Sequence, residues 1–411
     1  MSLFSNLKKL AAQWGGGTVL VFAYAHFAHD ICHGILIAML PLIRAGLGLN
    51  YLQSGLLLSA FSITSGISQI PGGWLGGRIG KQKAIAIGLC GVGLTTLGVG
   101  LSSEYYLILA ILVINGVFAG AYHPSAISLL SGYYGVEIRG KVIGLHVLGG
   151  SMGITVGPIL GGLIADMLGW RSVFMILGIP ALIAIPLILR TKRAKLEETL
   201  HNEPKTQNSD NEGTRDAPKW SSIWQALRPV AIITMLVIII QLVAGSVTAF
   251  MPMYLVDKHG VAATFAAMLV GISRGGGMVG SLFGGWLSDR WGRENTILVA
   301  LVSTGPILYL FTELPFSPLL IVILTLIGWV MMMRQAAIQS LLMDTVPPQL
   351  RATVFGLYFG LSMEGMSLMQ PVAAHFMDIF GIATVFHVIA LVSLALSLVA
   401  VVVIKRPRLR R

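Results

Sequence analysis

Charge is what this sequence has least of. Asp, Glu, Lys and Arg supply 11% of its 411 residues, where a soluble globular chain carries roughly 25%. That shortage excludes a water-soluble fold of this length. Cysteine is nearly absent as well. Cys32 and Cys90 both fall inside apolar runs, which excludes a disulfide framework, and their spacing fits no metal site. The chain has no Gly-x-x-x-x-Gly-Lys-Ser/Thr loop, so it is no ATP-driven pump by itself. It also lacks His-Glu-x-x-His and Gly-x-Ser-x-Gly, leaving an intramembrane hydrolase without support. The expectation is a protein that is not an enzyme and uses no metal or cofactor. Acid is scarcer than base, 17 residues against 28, for a net charge of +11. The basic excess sits in particular loops and a terminal tail. It carries orientation and does not form a nucleic-acid groove.

What the chain has in quantity is long apolar runs, such as 230–243 and 385–404, in a sequence that is 55% hydrophobic. A bilayer core of about 30 Å needs about 20 such residues per helix. The runs are too continuous for barrel strands, which alternate over about ten residues. They predict spans at 18–43, 51–76, 84–102, 106–131, 141–165 and 170–189, then 228–255, 262–287, 295–312, 316–343, 352–377 and 382–404. The predicted fold is all-α, with twelve transmembrane helices in two pseudo-symmetric six-helix bundles at 18–190 and 225–404. A polar linker, 191–224, separates them, and a basic tail, 405–411, follows. Residues 1–17 place Leu3, Phe4, Leu7, Leu10 and Trp14 opposite Lys8 and Lys9. This reads as a short interfacial helix rather than a cleaved signal peptide. With the N-terminus inside, every Lys and Arg is cytoplasmic except Arg44, Arg171 and Lys258 outside and the embedded Arg274 and Arg334. Both termini are therefore expected in the cytoplasm of a cell whose inner membrane the chain crosses.

The second informative feature is an internal repeat. Gly73-Trp74-Leu75-Gly76-Gly77-Arg78-Ile79-Gly80-Lys81 returns as Gly285-Trp286-Leu287-Ser288-Asp289-Arg290-Trp291-Gly292-Arg293, 212 positions on. At the same offset Arg139 and Gly144 return as Arg351 and Gly356, and Asp166, Gly169 and Phe174 as Asp378, Gly381 and Phe386. A block of six helices has been duplicated, a mark of transporter folds.

With these loops the chain resembles the major facilitator superfamily, whose Gly-x-x-x-Asp-Arg-x-Gly-Arg loop follows the second helix of each half. The second copy fits; the first has Gly77 where the family places Asp. Gly144 and the run Gly153-Ile154-Thr155-Val156-Gly157-Pro158-Ile159-Leu160-Gly161-Gly162 resemble the glycine-proline motif of that superfamily's drug–proton antiporters. His26-Phe27-Ala28-His29-Asp30 and Tyr122-His123-Pro124-Ser125 are similar to segments of its fosmidomycin-resistance type of efflux protein. The arginine that many proton-coupled exporters carry in the fourth helix has no counterpart near Gly116. The resemblance implies a drug-efflux antiporter working by alternating access, a monomer whose partners are a small-molecule substrate, protons and lipid.

Charge inside a membrane helix costs at least about 2.5–3.5 kcal/mol, so each embedded ionisable residue is a candidate. Asp30 has His26 at i−4 and His33 at i+3, a set able to bind and release a proton; a packed hydrogen-bonded cluster is the alternative. His123 precedes the helix-kinking Pro124 and serves either substrate or the freed backbone. His146 and His387 stand alone on apolar spans and read as structural. Because the family's cavity is lined by its first, fourth, seventh and tenth helices, Arg334 is the expected contact for an anionic substrate, with Gln241 and Gln370 as weaker polar contacts. Arg274 and Glu364 either pair as buried ions or touch substrate. Arg78, Asp289 and Arg290 are expected to form a cytoplasmic gate between halves, while Gly144, Gly153, Gly157, Pro158 and Gly161 form a packing hinge. Together these predict proton-coupled efflux of small anionic or amphiphilic compounds. An importer of the same fold and a transport-inactive sensor or scaffold are the competing readings.

Overall fold

The computed structural model describes residues 16–191, 220–347 and 350–404, and every regular element among them is helical. The first half contributes α1 (Gly16–Leu47), α2 (Tyr51–Ile79), α3 (Lys81–Leu101), α4 (Tyr105–Tyr133), α5 (Val136–Leu168) and α6 (Trp170–Arg190). The second contributes α7 (Ala231–His259), α8 (Ala263–Trp291), α9 (Arg293–Glu313), α10 (Pro318–Thr345), α11 and α12 (Ile382–Ile404). Helix α11 is Arg351–Phe359 and Gly365–Phe380, joined by the π turn Gly360–Glu364. Among the described residues, ten helices are long and apolar enough to cross a membrane. The other two crossings are α2, diluted by Ser54, Ser59, Ser62, Thr64, Ser65 and Ser68, and α11, which the π turn divides.

The boundaries carry the duplication into the backbone. A hydrogen-bonded helix ends cheaply where glycine takes a positive φ. Gly48 and Gly260 have φ 63° and 64°, Gly80 and Gly292 both 93°, and Gly169 and Gly381 79° and 80°. Each pair is separated by the offset of the sequence repeat, so the same turns close both halves. Helix α2 starts on a capping box in which the Asn50 side chain accepts from Gln53 N while Gln53 reaches back to Asn50 N.

Within the first half α1 packs on α5 and α2 on α4; α8 packs on α10 in the second. These contacts depend on small residues. A Cβ at Gly276, Gly280 or Gly284 of α8 would lie 2.3–2.7 Å from the backbone of α10, so only glycine permits that approach in lipid. The halves meet along α5 with α8 and α2 with α11. Of the expected flanking segments, 1–15, most of the linker and the basic tail lie outside the described residues. Gly16 and Gly17 already belong to α1, and Trp220–Leu227 forms a short helix ahead of α7.

Candidate functional site

The first half buries a polar cluster around Asp30. His26 Nδ1 lies 2.8 Å from the His146 carbonyl oxygen. A carbonyl can only accept, so Nδ1 carries the hydrogen. The other ring nitrogen, Nε2, faces Asp30 Oδ2 at 3.2 Å. His29 Nδ1 meets the second carboxylate oxygen at 2.7 Å, and His146 Nδ1 donates to the Phe22 carbonyl at 3.1 Å. With Nδ1 protonated, His26 Nε2 is a lone pair unless the ring takes a second proton, and a proton there would turn the 3.2 Å approach to Asp30 into an ion pair. His26, Asp30 and His123 present atoms within 4.8 Å of one another, compact enough for a metal ion.

His26, His29 and Asp30 are all less than a tenth exposed. His123 is the most exposed member, with 35% of its side chain exposed and Nε2 4.0 Å from Asp30 Oδ1. Tyr122 stacks on His29 at 4.6 Å between centroids, and His146 on His26 at 4.2 Å. Helix α5 makes room at Gly150, where a Cβ would stand 2.5 Å from His26 Nε2 and 2.6 Å from Asp30 Oδ2.

This corrects the expectation for His33. Its ring packs against Phe61 at 4.6 Å beside Cys32 and Thr96, and the imidazole on the carboxylate is His29. His146, read as structural, is a member of the cluster. Helical spacing shows only what one helix offers; a neighbour at i−1 and a histidine on α5 reach Asp30 through rotamer and packing.

A cavity of about 200 Å³ lies between the halves. Its lining includes Ser151 and Thr155 of α5, Gln241 of α7, Arg274 of α8, and Met251, Met278, Met331, Met332 and Met366. Ser151 follows Gly150, so α5 separates the cavity from the proton cluster by one wall. The cation on the cavity is Arg274, which has no hydrogen-bond or ion-pair partner among the described residues. Arg334 is not a lining residue: it is 1% exposed and donates to Gln241 Oε1 at 2.5 Å and to Thr304 Oγ1 at 3.3 Å. It points into the packed core of the second half. Gln370 is also buried and faces Ser59 across the α2–α11 contact. The side chain of Glu364 lies outside the described residues.

Polar contacts between the halves gather at the outer end. Asp378 accepts from the backbone N–H groups of Tyr51 and Leu52 at 2.8 and 2.9 Å. Its repeat partner Asp166 accepts from Thr264 Oγ1 at 3.0 Å. Arg44 and the Tyr51 hydroxyl both donate to Asp257. At the cytoplasmic end the expected gate residues stay within their own halves. Arg78 lies over Trp74, Arg290 over Trp286, and Asp289 pairs with Arg293. Among the described residues, these gate residues make no hydrogen bond or ion pair across the halves, while the outer end is joined by several.

The glycines of α5 divide their work differently from the expected hinge between halves. Gly153 and Gly157 press on α1 at Phe27 and Ile31, Pro158 lies beside Gly34 of α1, and Gly161 sits near Met39, all inside the first half. Gly144 touches nothing. The seal between halves falls to Gly162, where a Cβ would stand 2.4 Å from the Thr264 carbonyl.

Known proteins share this fold. The family model described as Major Facilitator Superfamily matches residues 22–370 and 278–411. An uncharacterised MFS-type transporter of Bacillus subtilis, YfnC, is 24% identical over 384 residues, covering 91% of this chain and 90% of that one. A probable hexose phosphate transport protein of Chlamydia pneumoniae is 27% identical over 279 residues, 62% of this chain and 60% of its own. Among solved structures, a bacterial homologue of the human lysosomal transporter Spinster, inward-facing and unoccupied, matches with a TM-score of 0.74. Its identity is 16%, and the match covers 94% of each chain. The chain belongs to the Major Facilitator Superfamily and is a multi-pass membrane transporter, not an enzyme.

Proposed function

We propose that the protein is a proton-coupled exporter of small anionic or amphiphilic compounds, in which the halves 18–190 and 225–404 rock about the cavity. The observation that carries this reading is the buried approach of His26 Nε2 to Asp30 Oδ2 at 3.2 Å, where one proton would close an ion pair. Outward-facing, the cluster takes a proton and becomes neutral. Inward-facing, the proton leaves through His123, the most exposed member of the cluster. Losing the proton leaves a buried anion, a state the membrane interior penalises by at least about 2.5–3.5 kcal/mol, and that penalty biases the return. The substrate meets Arg274 with its anionic group and the methionines with its apolar body, since flexible thioethers adapt to varied shapes.

Export is supported by the glycine-proline run of α5 and by the likeness of 26–30 and 122–125 to the fosmidomycin-resistance type. Import of an organic anion is the second reading, favoured by the partial similarity to a probable hexose phosphate transport protein. Inverted vesicles with an acidic interior separate the two, with fosmidomycin as the probe. An exporter loads them; a symporter does not. The Asp30→Asn variant should stay in the membrane and fail to load. Undiminished loading by that variant would remove the proton site from the mechanism.

A further inference from the structure

We propose that Gln241 is a movable cover over a second anion-binding cation, Arg334, and that this pair selects substrates by the charge of their headgroup. The inference rests on the reading of the cavity as the substrate site and deepens it.

Arg334 is a guanidinium in the core of a membrane bundle, and among the described residues no carboxylate pairs with it. A guanidinium carries five N–H donors, and the contacts here are one amide oxygen and one hydroxyl, both uncharged. A buried cation with only neutral partners is held at a cost that an anion would offset. Sequence composition does not require a cation there. The repeat-related residue, Tyr122, is equally buried and uncharged, so the scaffold tolerates a neutral side chain at this place.

Gln241 separates Arg334 from the cavity. It lines the cavity wall, and its oxygen faces inward onto Arg334. Its amide nitrogen rests on Met366 Sδ at 3.5 Å, a weak acceptor. Nothing strong therefore holds the amide in place on the cavity side. A rotation of one side chain opens Arg334 to the space that Arg274 already faces. A monoanion is satisfied by Arg274 alone and leaves the cover shut. A dianion competes with the neutral Gln241 oxygen for Arg334, because a charged acceptor makes the stronger hydrogen bond. Headgroup charge is thereby read as the choice between one arginine and two.

The test uses purified full-length protein at a pH where phenyl phosphate is a dianion, with benzoate as the monoanion of similar apolar body. Binding is measured by calorimetry for the wild type and for Gln241→Glu, Arg334→Gln, Arg334→Lys and Arg274→Gln. The wild type should prefer phenyl phosphate by about tenfold, the factor that ~1.4 kcal/mol supplies. Gln241→Glu places a permanent carboxylate on Arg334, so it should fold well and erase the preference, lowering phenyl phosphate affinity more than benzoate affinity. Arg334→Gln should erase the preference in the same way, and Arg334→Lys should keep part of it. The proposal is overturned if phenyl phosphate does not bind the wild type, or if the preference survives Gln241→Glu. Arg274→Gln reports on the underlying reading separately. Loss of both ligands upholds the cavity as the site, and binding of both undiminished removes the cavity whatever Arg334 does.

Discussion

The two halves of the molecule share a backbone and differ in what they bury. At the place where α4 carries Tyr122, α10 carries Arg334, and the two side chains are 0% and 1% exposed. Where α5 carries His146, α11 carries Tyr358, again buried. Gly150, pressed against the His26–Asp30 contact, stands opposite Ser362, whose hydroxyl donates to the Tyr358 carbonyl at 2.7 Å. The first half thus uses its polar interior to gather imidazoles around one carboxylate. The second uses the same interior to hold positive charge beside a cavity. A duplicated scaffold fixes where a polar group is buried; on the proposed function, later substitutions decide whether it binds a proton or an anion.

Changes that erase one side of this division should act on one function only. The largest effect is expected from Arg274→Gln, which removes the cation lining the cavity and should abolish binding of anionic probes. The His26–Asp30 cluster should be left intact, as read by isothermal titration together with an unchanged melting temperature. Next comes Gly150→Ala. Its methyl would overlap the proton site, costing about 1–3 kcal/mol of packing strain and stopping proton-driven uptake into inverted vesicles. The repeat-related Ser362→Ala loses one hydrogen bond of about 1 kcal/mol and should leave coupling in place. Equal losses from the two substitutions would break the comparison between halves.

The outer latch predicts a smaller shift. Asp378→Asn and Asp166→Asn each weaken one cross-half contact at the outer end. Each should move the inward-to-outward ratio by roughly two- to fivefold, the range of exposed polar pairs, and together they should add. Distances between spin labels on the outer ends of α2 and α11 check this. The smallest effect belongs to His33→Asn, which should leave proton-driven transport unchanged because the ring sits against Phe61. His29→Ala should impair it.

The twelve crossings, the orientation and the duplication were legible in the sequence because hydrophobic length, loop charge and a fixed offset are local properties. The positive-φ glycines at 48, 80 and 169 and at 260, 292 and 381 express that repeat in the backbone. The sites were legible only in part. Asp30 and His26 stand on one helix face, so spacing could pair them. His29 and His146 join through packing between α1, α4 and α5, which no spacing on one helix encodes. Arg274 and Arg334 look alike in sequence, each a lone cation in an apolar span. Which of them faces the cavity depends on the rotation of α8 and α10 about their axes, and the close glycine contacts between those helices set it. Gly150 was hidden among packing glycines; its neighbour Ser151, polar in an apolar run, was the available hint.

The central claim is that proton coupling and anion contact are separate, one in each half. The most direct test compares two modes of transport in proteoliposomes bearing Asp30→Asn. Exchange of labelled for unlabelled fosmidomycin needs substrate contact and rocking but no net proton movement, whereas uphill accumulation needs both. The account predicts that the variant keeps exchange at close to the wild-type rate and loses accumulation under an imposed proton gradient. Loss of exchange in a correctly folded variant, or retention of accumulation, would contradict it.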